Sequence, residues 1–455
     1  MAPLALPAVI ESCQFVGARG LCSCANVVMT GIFPGDSCNE NATGSASRRA
    51  GWRTEKSARK SANQLRNGIA SQIPSKVKDD SAVIPIVAAI FVSVAATAVW
   101  AQSASPALPK RLVADYGSWS KYQTPPYSAA QIPINMMTHI LHAGIYIDGS
   151  ANGTIDVPDG FVEPELISKA HSAGVKVFLL VGGDSGAFST MAASDTLRVV
   201  LAQNLWDFAQ QYGYDGVDID WEYPGTADRS GYYQLMSALR SFFPSPTYQL
   251  SADIAPWGGP GYNLKKVSTV LDFLNIMTYD CAGPWTDDAQ LNSPIFWDPH
   301  DPEPYECQPG GSVQEAINAF LQVAPAAKLN IGTPFYGYDY RTVTQLWESC
   351  TDCNWSVVSQ NYGTFIKQRV NQDGWVRSYD SNAGVPYLLH SNGRPGFITY
   401  DDPSSTYLRV WYTDWERGLG GTFMWSLDAD YDGTSQDLLN AMYNATLNNP
   451  SGATQ

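Results

Sequence analysis

Residues 215–225 read DGVDIDWEYPG, with Asp218, Asp220 and Glu222 at every second position and Val217, Ile219 and Trp221 between them. Successive side chains of a strand point to opposite faces. A strand over 216–222 therefore carries three carboxylates on one face and three apolar side chains on the other. A solvated acidic face would require Ile219 and Trp221 to be wet as well. The apolar side is instead expected to meet a layer of helices, and the acidic side to line an enclosed interior. Pro224-Gly225 closes the strand.

Outward from this stretch, similar runs recur. RLVADYG (111–117), HILHAGIYI (139–147) and VKVFLLVGG (175–183) precede it. YQLSADIAP (248–256), FLNIMTYD (273–280), LNIGTPFYG (329–337) and GTFMWSLD (421–428) follow. Amphipathic stretches such as TLRVVLAQNLWDFAQQYG and VQEAINAFLQVA separate them, with apolar residues at helical spacing. Eight strand–helix alternations with nearly continuous apolar strands predict an α/β fold, a (β/α)8 TIM barrel, rather than an open doubly wound sheet. Glu222 then lies at the C-terminal end of strand four, the face on which such barrels carry their sites. The connection from 337 to 421 is too long for one helix. Residues 339–400 are expected to form a small α+β insertion between strands seven and eight, standing on that rim.

Three acids at close range cannot all ionise, because like charges raise one another's pKa. The column is expected to share protons and to leave Glu222 partly protonated near neutrality, as a general acid requires. The composition is that of a globular protein: 44% of the 455 residues are hydrophobic and 16% charged, with 14 Trp and 24 Tyr. A net charge of −15 disfavours nucleic acid, whose phosphates it would repel. Abundant aromatics suit sugar rings, although core packing accounts for most of them.

The first hundred residues differ from the rest. Residues 1–75 are Ser-, Ala-, Asn- and Arg-rich, basic and without sustained periodicity, the pattern of a poorly ordered leader. Residues 76–101 carry lysines, then an uncharged run over 82–101, then small polar residues. That is the layout of a secretory signal cleaved after Ala101, and residues 1–75 are then an over-extended gene prediction. Alternatively the run stays as a signal-anchor, holding an extracytoplasmic domain to a membrane. Either way residues 102–455 form an exported catalytic barrel. Cys281, Cys307, Cys350 and Cys353 permit three disulfide pairings, of which Cys281–Cys307 and Cys350–Cys353 need the least chain reach. Without clustered His, disulfides are expected rather than zinc. Asn152-Gly-Thr, Asn354-Trp-Ser and Asn444-Ala-Thr are glycosylation sequons if the host is eukaryotic.

Asp215-Gly216-x-Asp218-x-Asp220-x-Glu222 resembles the signature of family 18 glycoside hydrolases, the chitinases and their relatives. Supporting matches run through 111–430. Met277-x-Tyr279-Asp280 resembles the sixth-strand motif, and Trp425 the eighth-strand sugar platform. Tyr116 and Trp119 sit where strand one ends, and PFYGY (334–338) resembles the end of strand seven. VPYLLH and FITYDD resemble the insertion of the deep-cleft subgroup. The resemblance implies a monomer acting on chitin or chitooligosaccharides, without metal or cofactor. Glu222 would protonate the glycosidic oxygen, and the sugar's own N-acetyl carbonyl would attack the anomeric carbon with retention. Asp220 would orient the acetamide, Asp218 would trade a proton with it, and Tyr279 would hydrogen-bond the acetamide oxygen. Asp280, Met277 and Trp425 would contact the sugar, as would Tyr223, Trp119 and Tyr336; by position alone, Trp257 at a strand end and Trp285 and Trp297 in the loop after strand six are also placed for sugar contact. Tyr116 would be structural.

Two positions depart from the pattern. Strand three ends Leu180-Val181-Gly182-Gly183, where the family usually reads Ser-x-Gly-Gly. Leu180 leaves Asp218 to rely on Tyr116, on His142 or on a group not recognised. Asp184 stands where an aromatic often follows, so a distal sugar platform is expected to be missing. His139 and His142 follow strand alternation and read as structural, and Trp206, Trp411 and Trp415 lie in helical patterns and read as packing. An endo-β-N-acetylglucosaminidase of N-glycans shares the signature, and a chitin-binding lectin on an inactive barrel is the reading outside the enzymes.

Overall fold

The structure is a computed structural model and describes residues 107–301, 311–350 and 352–448. The expectations for residues 1–75, for 76–101 and for Cys307 lie outside the described residues. Among the described residues, eight parallel strands form the core. They are β1 (Arg111–Gly117), β2 (His139–Ile147), β3 (Lys176–Gly182) and β4 (Gly216–Asp220), then β5 (Gln249–Ile254), β6 (Leu274–Ile276), β7 (Leu329–Pro334) and β8 (Gly421–Trp425). Each pairs with its successor, and β8 returns to β1 through Arg111↔Gly421 to Ala114↔Met424. The sheet is a closed (β/α)8 barrel, with Ile155–Asp156 added antiparallel to the end of β2.

The faces of β4 divide as the alternation requires. Val217, Ile219 and Trp221 are at most 1% exposed and point at the helical layer. Trp221 stacks on Phe188 at 5.1 Å between ring centroids, and its Nε1 donates to Ser185 Oγ at 2.8 Å. Both partners belong to the helix Ser185–Ala193. The next helix, Asp195–Tyr212, starts where Ser194 accepts from the Leu197 N–H and stops at Gly213, whose φ of 83° is left-handed. Trp206 packs against Phe243 and Tyr248, and Trp415 donates to the Ala445 carbonyl. These tryptophans serve packing, as their helical spacing suggested.

Between β7 and β8 stands a five-stranded antiparallel sheet of Tyr336–Tyr340, Val357–Asn361, Trp375–Asp380, Val385–His390 and Phe397–Thr399. It begins at Tyr336 because PFYGY pairs at once, with Tyr336 opposite Asn361 and Tyr338 opposite Thr399. Its base is fixed by a buried ion pair. Arg409 Nη2 lies 2.7 Å from Asp401 Oδ2 and also donates to the Ser293 carbonyl. With both charges buried, loss of either partner would strand the other. Cys350 and Cys353 form a disulfide, and Cys281 is disulfide-bonded as well. No described helix is long and apolar enough to cross a membrane.

Candidate active site

Asp218 and Asp220 project from β4 into the barrel, and Glu222 follows just beyond the strand's end. Asp218 has no exposed surface. Its Oδ1 accepts from the Ser251 hydroxyl on β5 and from Asn275 Nδ2 on β6, the latter at 3.1 Å. The support thus comes from groups not recognised in the sequence, and not from Tyr116 or His142. The Tyr116 hydroxyl donates outward to Glu163 at 3.1 and 3.2 Å. His142 stacks on Phe161 at 4.2 Å and shares a hydrogen bond with Tyr214. Alternation along β1 explains the difference: Tyr116 faces the helices, and Asp115 faces the barrel. Leu180, level with Asp218 on β3, is buried and offers only an apolar wall.

Burial pushes the Asp218 carboxyl up to about 7, although Ser251 and Asn275 pull in the other direction. Asp220 stands well above the ordinary carboxylate range, first through burial and then through the charges of Glu222 and Asp218. Glu222 is reached by solvent at the mouth, yet protein surrounds it closely enough to raise its carboxyl. A hydrogen bond from Tyr223 opposes the rise and the charge of Asp280 adds to it. A carboxyl so placed binds its proton more tightly than a free glutamate and can deliver it to a group entering from solution.

The rest of the mouth is aromatic. Tyr279 lies between Phe423 and Tyr336, with ring centroids 6.0 and 6.1 Å away. Gly332 makes this possible, since a Cβ there would sit 2.7 Å from the Tyr279 ring. Asp280 takes a left-handed backbone, φ 59°, unusual for a non-glycine residue and a mark of functional sites. Its N–H donates to Asn292 Oδ1 at 2.9 Å, and its Oδ1 accepts from the hydroxyls of Tyr336 and, at 2.7 Å, Tyr338. Trp425 and Trp119 approach to 6.4 Å, and Trp119 is 38% exposed. Tyr223 meets Trp257 edge to face at 4.9 Å. The buried Nε1 of Trp285 has no hydrogen-bond partner among the described residues. Met277 is buried, with its N–H on the Ile254 carbonyl. Cys281 follows Asp280 directly and ties this loop by its disulfide. Asp184 caps the helix Ser185–Ala193 through the Gly186 and Ala187 N–H groups. His139, between Phe178 and Phe273 at the opposite end, bonds Gln249.

Sequence reasoning missed Ser251, Asn275, Tyr338 and two further acids, Asp115 and Asp253. The signal was the same alternation. In QLSADI, Ser251 and Asp253 share a face, and Asp253 is the register partner of Asp220.

A closed barrel whose fourth strand carries buried acids up to an accessible glutamate, with an aromatic mouth that includes Trp119 and Trp425, has the build of a glycoside hydrolase. Residues 111–430 match the family model described as Glycosyl hydrolases family 18, and the chain belongs to that family. It is 28% identical over 413 residues to Chitinase A1 of Niallia circulans, covering 73% of this chain and 58% of that protein. To the Endochitinase of Manduca sexta it is 27% identical over 399 residues, covering 75% of this chain and 67% of that one. The chain thus spans little more than half of the first relative and about two thirds of the second. Catalytic domain 2 of the Ostrinia furnacalis Group II chitinase superposes with a TM-score of 0.66 at 26% identity, covering 74% of this chain and 96% of that domain. A mutant of that domain has been solved in complex with penta-N-acetylchitooctaose.

Proposed function

We propose that this protein is a chitinase that hydrolyses β-1,4 linkages between N-acetylglucosamine units with retention of configuration. The observation that carries the reading is Glu222: an accessible carboxyl with a raised proton affinity, at the end of a buried acid column. Glu222 protonates the glycosidic oxygen as the bond to the anomeric carbon breaks. The substrate's acetamide oxygen closes on that carbon, giving an oxazolinium intermediate. Asp220 holds the acetamide N–H and faces the developing positive charge, with Asp218 behind it. Tyr279 directs its hydroxyl at the acetamide oxygen, and Trp425 with Trp119 floors the ring. Water, deprotonated by Glu222, then opens the intermediate from the original face. The contribution of the protein is positioning and electrostatic stabilisation.

The inserted sheet makes a wall beside the mouth, which suits a linear polymer more than a branched glycan. The helix-capping role of Asp184 removes one distal stacking position, so recognition concentrates near the cleaved bond. The test compares wild type and Glu222→Gln on a chromogenic chitooligosaccharide and on a high-mannose glycoprotein. Wild-type turnover of the first substrate only, falling by about 10³-fold or more in the variant, is expected. Turnover surviving in the variant would sink the assignment of Glu222.

The proposal extends to a reaction outside the cell, a reading supported by the lysines before the uncharged run 82–101 and by the disulfides. N-terminal sequencing of the exported protein should begin at Gln102. A start upstream of residue 82 would favour the anchored form.

A further inference from the structure

The barrel holds more acid than this reaction scheme uses. Asp115 on β1 has no exposed surface, and neither of its carboxyl oxygens has a hydrogen-bond partner among the described residues. Asp253 on β5 is 2% exposed and leaves Oδ1 without a partner. Asp218 Oδ2 and Asp220 Oδ1 are likewise unpartnered. Asp253 stands beside Asp220 in register, and Asp115 acts electrostatically on Asp253 and feels Asp218 and Asp220.

No cation faces the group among the described residues. From β2 comes Tyr146, which feels Asp220, and from β3 only Leu180. From β6 come Asn275 and, beyond its end, Tyr279, and from the helix Arg229–Phe242 comes Tyr232. Glu222 and Asp280 lie toward the mouth and add negative charge. Arg111 is at the other end of β1, bonded to Asn330 and lying over Phe273. No three His, Cys, Asp or Glu side chains among the described residues are placed to hold a metal ion. Four carboxylates in such a space repel strongly if ionised, and an unpartnered buried carboxylate is costly by itself. Protons shared among them answer both problems.

We propose that Asp253 and Asp115 are positioning residues that share protons with Asp218 and Asp220, keeping the four-aspartate layer near a single negative charge. The inference rests on the glycosidase reading of the site. Each like-charged neighbour raises the pH at which the others ionise. The layer therefore sets where Asp220 gains its charge and how tightly Glu222 keeps its proton. Both limbs of the pH–rate profile then lie further toward alkaline pH than Asp218, Asp220 and Glu222 alone would place them.

The test is Asp253→Asn, isosteric and uncharged, with Asp115→Asn as a second variant. Each should move both limbs of kcat/KM toward acid pH by about half a unit or more, with the largest kcat reduced less than about tenfold. Limbs coincident with wild type in both variants would overturn the proposal. Infrared spectroscopy supplies a readout that needs no turnover. Wild type at pH 7 should show protonated-carboxyl C=O absorption that weakens in each variant, and its absence from wild type would also overturn the proposal. Wild type inactive on every chitooligosaccharide would instead sink the function assigned above, leaving the infrared comparison to decide proton sharing.

Discussion

Asp218 shows how much a single buried acid depends on strands other than its own. Its donors come from Ser251 and Asn275, and Asn275 is in turn oriented by Asn330, whose Nδ2 donates to Asn275 Oδ1 at 2.9 Å. Leu180 contributes shape and no hydrogen bond. Ser251→Ala removes one donor, and a buried charged acceptor left short of a partner costs about 1–3 kcal/mol. Loss of the donor also raises the Asp218 carboxyl further above its value near 7. The destabilisation should therefore be larger at pH 8, where wild-type Asp218 is mostly ionised, than at pH 5, where the acid keeps its own proton in both proteins. Denaturant unfolding of both proteins at the two pH values measures it. Equal losses at both would mean that Ser251 acts through packing alone.

At the scale of elements, much of the barrel was legible because each strand announces itself locally. The runs at 111–117 and 139–147 became strands over the same residues. The acidic face of β4 could be assigned because Val217, Ile219 and Trp221 had to go somewhere dry. What was not legible depends on register between strands distant in sequence. That Ser251 stands opposite Asp218, or Asp253 opposite Asp220, follows from how β4 and β5 align on closure. Asp115 was hidden differently: its neighbour Tyr116 drew attention as an aromatic at a strand end, while alternation sends that ring outward. The tyrosines on Asp280 were half-visible, since Tyr336 was expected at the mouth and Tyr338 was not. Strand pairing within the insertion turns both toward one acid.

Over the whole molecule, buried acids dominate the electrostatics. Asp218, Asp414 and Asp430 are each raised to about 7, mainly by burial, and burial with neighbouring charges raises Asp115, Asp220 and Asp253 well above the ordinary carboxylate range. An acid with a folded pKa above its unfolded value binds more protons when folded. Its stabilisation is whole below the unfolded value, near ~4, and is lost as pH rises through the folded one. Glu163 and Asp432 run the other way, their burial outweighed by His142 and Lys121 in the first case and by Lys367 and the Ser435 N–H in the second. Their contribution is present above ~4 and fades below it. Thermal unfolding should thus be latest on the acidic side, between about pH 4 and 6, and should fall by several degrees towards pH 8. A Tm that climbed from pH 5 to 8 would contradict this. The hydroxyls that Tyr336 and Tyr338 place on Asp280 carry a different implication, for exchange between related proteins. The wall starts two residues after β7 and reaches back into the barrel mouth, so it is not a detachable module. A chimera that grafts another sheet between β7 and β8 must keep residues 336–338, or it inherits an acid at the substrate's edge with neither of its clamps.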